Sequence, residues 1–351
     1  MVESSSTQDG RAPQQLRIVD AGVILGIETS CDETAVAVLS GDKVLSSIIE
    51  SQIEIHASFG GVVPELAARA HDHAILTAIR AALDEAGLSL DQLDAVAVTN
   101  GPGLPGALMV GVGSAQGLAL GRHLPLYPVD HMEGHLFAAA LEAPVDLPAL
   151  VLLVSGGHTE MIRVDAPGSY RLIGRTKDDA AGEAFDKVAR LLDLGYPGGP
   201  AIERVARDAP LPTISFPRGL RGEGLDFSFS GLKTAVMSFV RTHPEVGSVE
   251  IATAFQIAAI DSLVIKVDRA LSLERYASVV LGGGVAANEL LRTRIRQVAA
   301  DHGVVGAIPA KRYCTDNGAM IAAAAAFHRA SGDPGVIAID ADPGRTLIDP
   351  A

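Results

Sequence analysis

Two stretches of the chain, roughly 125 residues apart, are built on one plan: 24–39 (ILGIETSCDETAVAVL) and 150–164 (LVLLVSGGHTEMIRV) each run from an apolar segment through a small polar turn into a second apolar segment. Short apolar runs rich in β-branched residues read as strands, and two of them joined by a tight polar turn read as a hairpin. A chain that carries this unit twice is constrained to two similar half-molecules, each opening with a hairpin whose turn faces a common cleft. The expected hinge lies near 145–150, where Pro144 and Pro148 break the pattern. A length of 351 residues agrees, because it exceeds the usual size of one domain.

Further apolar runs end in glycine or small polar residues at 95–103 and 278–284, each read as a buried strand that delivers its C-terminal loop to the same cleft. Helical spacing fills the intervals at 64–86, 107–121, 180–193, 251–273, 286–300 and 316–330. Strands alternating with such helices predict an α/β architecture of mixed sheets covered by helices. The segmentation follows: a disordered leader at 1–21, a first domain at 22–148, a second at 149–330, and a docked tail at 331–351.

A formal charge of −14 argues against a protein that grips nucleic acid over its whole surface, since that affinity comes from neutralising phosphates. Any RNA contact is then local or shared with a partner. The basic residues Arg292, Arg294, Arg296, Lys311 and Arg312 are candidates, with the first three read as ordinary solvated helix charge. Cys31 and Cys314 form no CxxC pair, which fits a reducing compartment and a cytoplasmic location. The leader has no apolar core of a signal peptide. The longest uncharged stretch, 95–121, is interrupted by Pro102 and Pro105, so it reads as strand, loop and helix rather than a membrane span.

His131 and His135 stand four apart and share one face of a helix, where they can bind one ion or serve as two ordinary polar residues. Glu133 lies about 200° round the helix from His131, away from any such ion, so the base of a zinc peptidase is missing. Asp316 is the candidate third ligand, and the competing role for it is the N-cap of the helix that follows. Two imidazoles and one carboxylate leave positions on a divalent ion open to substrate oxygens, and iron(II) and zinc both suit that set. The run from Gly101 to Gly106 matches GxGxxG, but its prolines remove amides a pyrophosphate needs. No Walker motif occurs. Glycine turns at Ser155-Gly156-Gly157, Gly198-Gly199 and 282–284 can bring backbone N–H groups to an anion, or mark plain turns. Asp186, Glu203 and Asn288 are types that bond ribose hydroxyls or an amino acid. Glu28, Asp32 and Glu33 crowd the first turn, where they can place a proton acceptor beside the cleft.

Taken together, GIETSCDETAVAV, FGGVVPELAARAH, NGPGLPGALMVGVG, HMEGH, LLVSGGHTE, DDAAGEAFDKVARLLDLGYPGGP, FSFSGLKT, GGGVAANELLR and CTDNGAM resemble the TsaD family (the Gcp/YgjD type), bacterial tRNA threonylcarbamoyl transferases, over residues 23 to 330. The resemblance implies the actin-like, Hsp70-like ATPase superfold (ASKHA), with two duplicated RNase H-like domains around a cleft. It implies transfer of threonylcarbamoyl from its adenylate, threonylcarbamoyl-AMP, to the exocyclic amine of adenosine 37 in tRNAs reading codons that begin with adenine. Carried onto this chain, it puts the metal ligands at His131, His135 and Asp316, with one divalent ion, Fe(2+) ahead of Zn(2+). It puts the adenylate at Leu153, Val154, Ser155, Gly156, Gly157, Asp186, Gly199, Glu203 and Asn288. It implies tRNA, a homologous TsaB-type partner and a TsaE-type ATPase as partners, and no membrane. Asp32 or Glu33 is assigned the amine proton. One departure is Asp130, where many relatives carry histidine, and it is expected to stand behind an imidazole. Other readings are an actin-like small-molecule kinase or carbamoyltransferase, a chaperone-like nucleotide-gated scaffold and, disfavoured by Glu133, a metallopeptidase.

Overall fold

A computed structural model describes residues 14–220, 222 and 224–348. The strands are β1 (Gln15–Leu16), β2 (Val23–Glu28), β3 (Glu33–Ser40), β4 (Lys43–Ser51), β5 (Ala95–Gly101), β6 (Leu126–Asp130), β7 (Val145–Asp146), β8 (Ala149–Val154), β9 (Thr159–Ala166), β10 (Ser169–Arg175), β11 (Ser278–Gly282) and β12 (Val305–Ala307). The helices are α1 (Ile53–Ala57), α2 (Pro64–Ala86), α3 (Pro105–Arg122), α4 (His131–Ala140), α5 (Ala181–Leu191), α6 (Gly198–Ala206), α7 (Ser230–Thr242), α8 (Ser248–Leu273), α9 (Glu289–Asp301) and α10 (Gly318–Ala330).

The two expected hairpins are β2–β3 and β8–β9, both antiparallel. Each sits in a five-stranded sheet of the same order. The first runs β4-β3-β2-β5-β6 and the second β10-β9-β8-β11-β12, with β5 and β11 parallel to the leading strand of their sheets. One plan has therefore folded twice, and the central loops of both sheets emerge at the C-terminal ends of β2, β5, β8 and β11. In open sheets of this kind, that edge is where ligands bind.

Side-chain alternation sorts the layers. Leu25, Ile27, Val36, Val38, Val96 and Val98 face α2 and α3. Ile24, Ala37, Leu39, Ala95 and Ala97 face the opposite way, into a core shared with α4, α10 and the near face of the second sheet at Val151, Leu153, Ile162 and Val280. The far face of that sheet, Leu150, Leu152 and Val154, packs on α5, α8 and α9. Among the described residues α8 is the one helix long and apolar enough to cross a membrane, and Phe255, Ile260, Leu263 and Val267 are wholly enclosed in this core.

The chain crosses back at its end, because α10 lies on β2, β3 and β5 of the first sheet. The close approach depends on a glycine pair: a Cβ on Gly318 would stand 2.5 Å from the Ala37 amide nitrogen and 2.6 Å from the Gly26 carbonyl. Both neighbours are backbone, so neither can swing aside. Gly318→Ala is expected to lower stability by about 1–3 kcal/mol through overpacking, read as a shift in the urea midpoint. An unchanged midpoint would show that α10 can slide without penalty.

One expectation about the chain ends changes. Residues 14–21, expected in the leader, carry β1, which pairs with β7 at the hinge and buries Leu16. The remainder of the leader, residues 1–13, lies outside the described residues. The tail lies against the first lobe as far as residue 348: Val336 bridges Leu126, Gln116 holds Ile339, and the Asp342 amide donates to the Asn100 carbonyl at 2.6 Å.

Candidate metal centre

Helix α4 begins at His131 because Asp130 caps it, accepting from the amides of Met132 (2.8 Å) and Glu133 (3.3 Å). Asp130 was expected behind an imidazole. Its place directly before the first helical residue turns it to the helix end instead. Successive turns of α4 then hold His131 and His135 one above the other, ring centroids 4.8 Å apart. Asp316 precedes α10, but Asn317 caps that helix by accepting from the Met320 amide at 2.9 Å. That excludes the N-cap role for Asp316 and leaves its carboxylate to face the imidazoles, with Oδ1 3.2 Å from His135 Nε2 and 3.5 Å from His131 Nε2. One donor atom from each of the three residues lies within 4.8 Å of the others.

Behind His131 stands Glu28, fully buried at the end of β2. Its Oε2 meets His131 Nδ1 at 3.0 Å and accepts from the Thr99 hydroxyl, while Oε1 accepts from the Ser30 amide at 2.5 Å. A proton on Nδ1 directed at this carboxylate leaves Nε2 as the metal-facing atom, the arrangement by which ligating histidines are usually oriented. His135 is the more telling group. Its Nδ1 is buried without a hydrogen-bond partner among the described residues, and its Nε2 meets only the Asp316 carboxylate, out of line for a good hydrogen bond, a cost at Nε2 that coordination would remove.

Electrostatics point the same way. Burial acts most strongly on His131 and opposes its charging, yet Asp316 and Glu28 overcome it and push the imidazole up to about 10. For Asp316, burial is outweighed by His131 and His135, which hold it down to about 2. For Glu28 burial is again the largest influence, and His131 still lowers the carboxyl. Two carboxylates on either side of one imidazole call for positive charge, which a proton supplies at one site and a divalent cation supplies better. The residues present therefore fit a divalent ion. Replacing Glu28 by Gln is expected to weaken divalent-metal affinity about 10- to 100-fold, read by equilibrium dialysis against a metal buffer. An unaltered affinity would mean that the ring is oriented without the carboxylate.

The turn between β2 and β3 carries Asp32 and Glu33. His71, buried on α2, holds it through the Cys31 carbonyl (Nε2 to O, 3.0 Å) and Thr34 (Nδ1 to Oγ1, 2.8 Å). Burial, then the negative charges of Asp316 and Asp32, push the Glu33 carboxyl up to about 10. Burial and the same two aspartates push the Cys31 thiol up as well, so it stays protonated and unreactive.

On the facing lobe, Leu153 and Val154 end β8 and Ser155, Gly156 and Gly157 form its turn. Gly283 has φ +86°, and a Cβ there would stand 2.5 Å from the Val154 carbonyl, so only glycine lets the loop after β11 lie against this turn. At Gly282 a Cβ would stand 2.7 Å from Leu153 and 3.3 Å from the His135 carbonyl. The second sheet thus abuts α4. Burial pushes the Asp186 carboxyl on α5 up, with the Gly198 amide opposing and the negative charge of Asp32 a lesser contribution in the same direction. Gly199 lies in the first turn of α6 with open space beside it. The other candidates are tied to helix ends: Asp186 accepts from the Gly198 amide (2.7 Å), Glu203 from the Glu289 amide (2.9 Å), and Asn288 caps α9 through Leu291 (3.1 Å) while donating to Gln256 (2.9 Å).

Glu133 turns from the triad, accepting from the Tyr170 hydroxyl (2.7 Å) and bonding His328 (2.9 Å). Arg292 was read as solvated but is buried, donating to the carbonyls of Ala286 (3.1 Å) and Pro309 (2.8 Å). Lys311 pairs with Glu289 and Arg312 with Glu142. Sequence reasoning missed the roles of Glu28 and His71, and also His158, whose imidazole is pushed down by burial and then by His131 and His135.

Residues 43–323 match the family model TsaD, tRNA N6-adenosine threonylcarbamoyltransferase. The chain is 49% identical over 326 residues to the tRNA N6-adenosine threonylcarbamoyltransferase of Geobacter sp. (strain M21), covering 92% of this chain and 95% of that one. It is 50% identical over 301 residues to the protein of that name from Kosmotoga olearia, covering 85% and 91%. Among solved structures, T. kodakarensis HypF superimposes with a TM-score of 0.57 at 16% identity, over 91% of this chain and 49% of that chain. The activator of 2-hydroxyisocaproyl-CoA dehydratase from Clostridium difficile, with ADPNP bound, gives 0.53 at 14% identity over 88% and 96%. These two likenesses concern the fold alone.

Proposed function

Because the chain belongs to the TsaD family of tRNA N6-adenosine threonylcarbamoyltransferases, a metal-dependent family of actin-like fold whose reaction is threonylcarbamoyl transfer to tRNA, we propose how its own residues carry that transfer. The convergence of His131, His135 and Asp316 at the meeting of the two sheets carries the reading. The donor is threonylcarbamoyl-AMP and the acceptor is the N6 amine of adenosine 37 in tRNAs that read codons beginning with adenine. The triad holds one divalent ion, iron(II) ahead of zinc, which when bound supplies Lewis-acid polarisation of donor oxygens.

Leu153, Val154, Ser155, Gly156, Gly157, Asp186, Gly199, Glu203 and Asn288 bind the adenylate. Backbone N–H groups of Gly156, Gly157 and Gly199 receive the phosphate, since the Ser155 and Gly198 amides donate to the His158 carbonyl and Asp186, and the helix-capping side chains fix the ribose end of the pocket. An adenine amine is a weak nucleophile and AMP a good leaving group, so positioning dominates the barrier. N6 attacks the carbamoyl carbon, the C–O bond to the phosphate breaks with its electron pair leaving on AMP, and the N6 proton passes to Asp32. Glu33, pushed up to about 10, keeps its proton through neutral pH and is the poorer acceptor.

Residues 22–148 and 149–330 form the two halves that close on the donor, with α10 tying the second to the first. A homologous TsaB-type protein is the partner, a TsaE-type ATPase acts on the pair, and the complex works in the cytoplasm. The exposed apolar side chains Leu76 on α2 and Met109 and Leu120 on α3 provide a seat for a partner helix pair. The test is reconstitution with synthetic threonylcarbamoyl-AMP, tRNA and partners, reading modified nucleosides by mass spectrometry. Product is expected from the adenylate alone. Equal product from ATP, threonine and bicarbonate without a synthase would overturn the donor assignment.

A further inference from the structure

We propose that a cavity on the flank of the metal helix, separate from the adenylate pocket, holds a nucleotide of the tRNA strand that carries the acceptor, with Arg175 taking its phosphate; this rests on the tRNA reading above. The cavity has a volume of about 660 Å³, within the range of pockets that enclose small ligands. Pro102 and Met132 form one wall, strands β9 and β10 another, and residues 343–348 of the tail close it.

Its position is set by the reaction centre. Met132 sits on α4 between the two histidine ligands. His158 directly follows the Ser155–Gly157 turn and lines the cavity. Whatever occupies this space is one residue from the ligands and one residue from the proposed donor loop.

Its charge runs against the rest of the chain. Three guanidinium groups, Arg171, Arg175 and Arg345, line a cavity in a protein of net charge −14. Glu160 is the single carboxylate in the lining, and burial pushes it up toward its neutral form, with Arg175 opposing. Two of the arginines are committed: Arg171 to Glu274 (2.7 and 3.0 Å), and Arg345 to Asn100 and Asp130. Arg175 has no ion pair among the described residues. Its backbone is clamped on both sides, the amide donating to Asp226 (3.0 Å) and the carbonyl accepting from Phe227 (3.0 Å). A guanidinium on a fixed strand end that makes no ion pair, with Glu160 opposite it on β9 as the one neighbouring carboxylate in the lining, is suited to a phosphate. Leu172, Leu347 and Ile348 supply apolar surface for a base.

The tail is a wall of the site because it is stitched to the first lobe. The Gly103 amide donates to the Pro343 carbonyl, and Arg345 reaches Asp130, the cap of the metal helix. The cavity is thus built from both halves of the molecule and its C-terminal segment.

The experiment uses the full chain with its partners, comparing wild type, Arg175→Glu, Arg175→Lys and the cavity-filling Thr346→Trp. The expected result is a rise in KM for tRNA on the order of tenfold in Arg175→Glu, the size of one lost charge-assisted bond. The slope of log KM against log salt should fall by about one phosphate contact. KM for threonylcarbamoyl-AMP and metal content should stay at wild-type values, Arg175→Lys should recover most of the loss, and Thr346→Trp should raise KM for tRNA in its own right. An unchanged KM for tRNA, or a rise in KM for the donor instead, would overturn the assignment. A wild-type complex that makes no threonylcarbamoyladenosine would overturn the functional reading itself, whereas an active wild type with indistinguishable variants would sink only the cavity.

Discussion

The double variant His131→Ala, Asp316→Ala is expected to lose its divalent metal and at least about 10³-fold in transfer, while keeping its fold. The loss is large because two of three donors go at once and His135 cannot hold a divalent ion alone. The fold survives because neither side chain carries a helix end. Asp130 caps α4 and Asn317 caps α10, and the body of α4 is anchored by Leu136 and Phe137 in the core between the sheets. Glu28 loses one partner but keeps the Ser30 amide and the Thr99 hydroxyl, so it is not left as a bare buried charge. Metal analysis of the purified protein, circular dichroism and nucleoside mass spectrometry check the three parts. Full transfer by a folded, metal-free variant would remove the triad from the mechanism.

What could be seen in the sequence depended on how local its cause was. The hairpins were legible because alternation and a small polar turn are properties of adjacent residues, and their repetition foretold two sheets of one order. Helices α2, α3, α8 and α10 emerged close to their expected ranges for the same reason. Helices α6 and α7 did not, since one starts within a Gly-Gly run read as a phosphate turn and the other within a short polar motif.

The site divides along the same line. A spacing of four shows the histidine pair, but Glu28 and His131 are 103 residues apart and meet only because β2 and α4 end at the same edge. Arg292, Arg294 and Arg296 look alike in sequence. Only the fold of residues 309–314 back onto α9 decides that the first is enclosed by carbonyls. Asp130 was readable in principle, because an aspartate immediately before a helix is a cap before it is anything else.

Asp32→Asn is expected to lower kcat by about 10²- to 10⁴-fold, the range of a lost general base, with KM for threonylcarbamoyl-AMP little changed. Glu33→Gln is expected to be nearly silent. The contrast follows from two carboxyls sharing one turn, of which Glu33 is held protonated. Burial, the largest cause of its shift, persists in any state of the site. A divalent cation on Asp316 would offset the second cause, while the negative charge of Asp32, the third, would remain. Asparagine keeps the size and the hydrogen-bonding reach of Asp32 but cannot take a proton, and glutamine reproduces the neutral acid that Glu33 already is. The comparison therefore separates proton transfer from the shape of the turn. Single-turnover transfer with saturating adenylate measures it directly, before product release can mask the chemical step. Equal losses in the two variants would mean that the turn acts as a structural unit. A loss confined to Glu33→Gln would transfer the base to Glu33 and require the cation to lower it by several orders of magnitude in proton affinity.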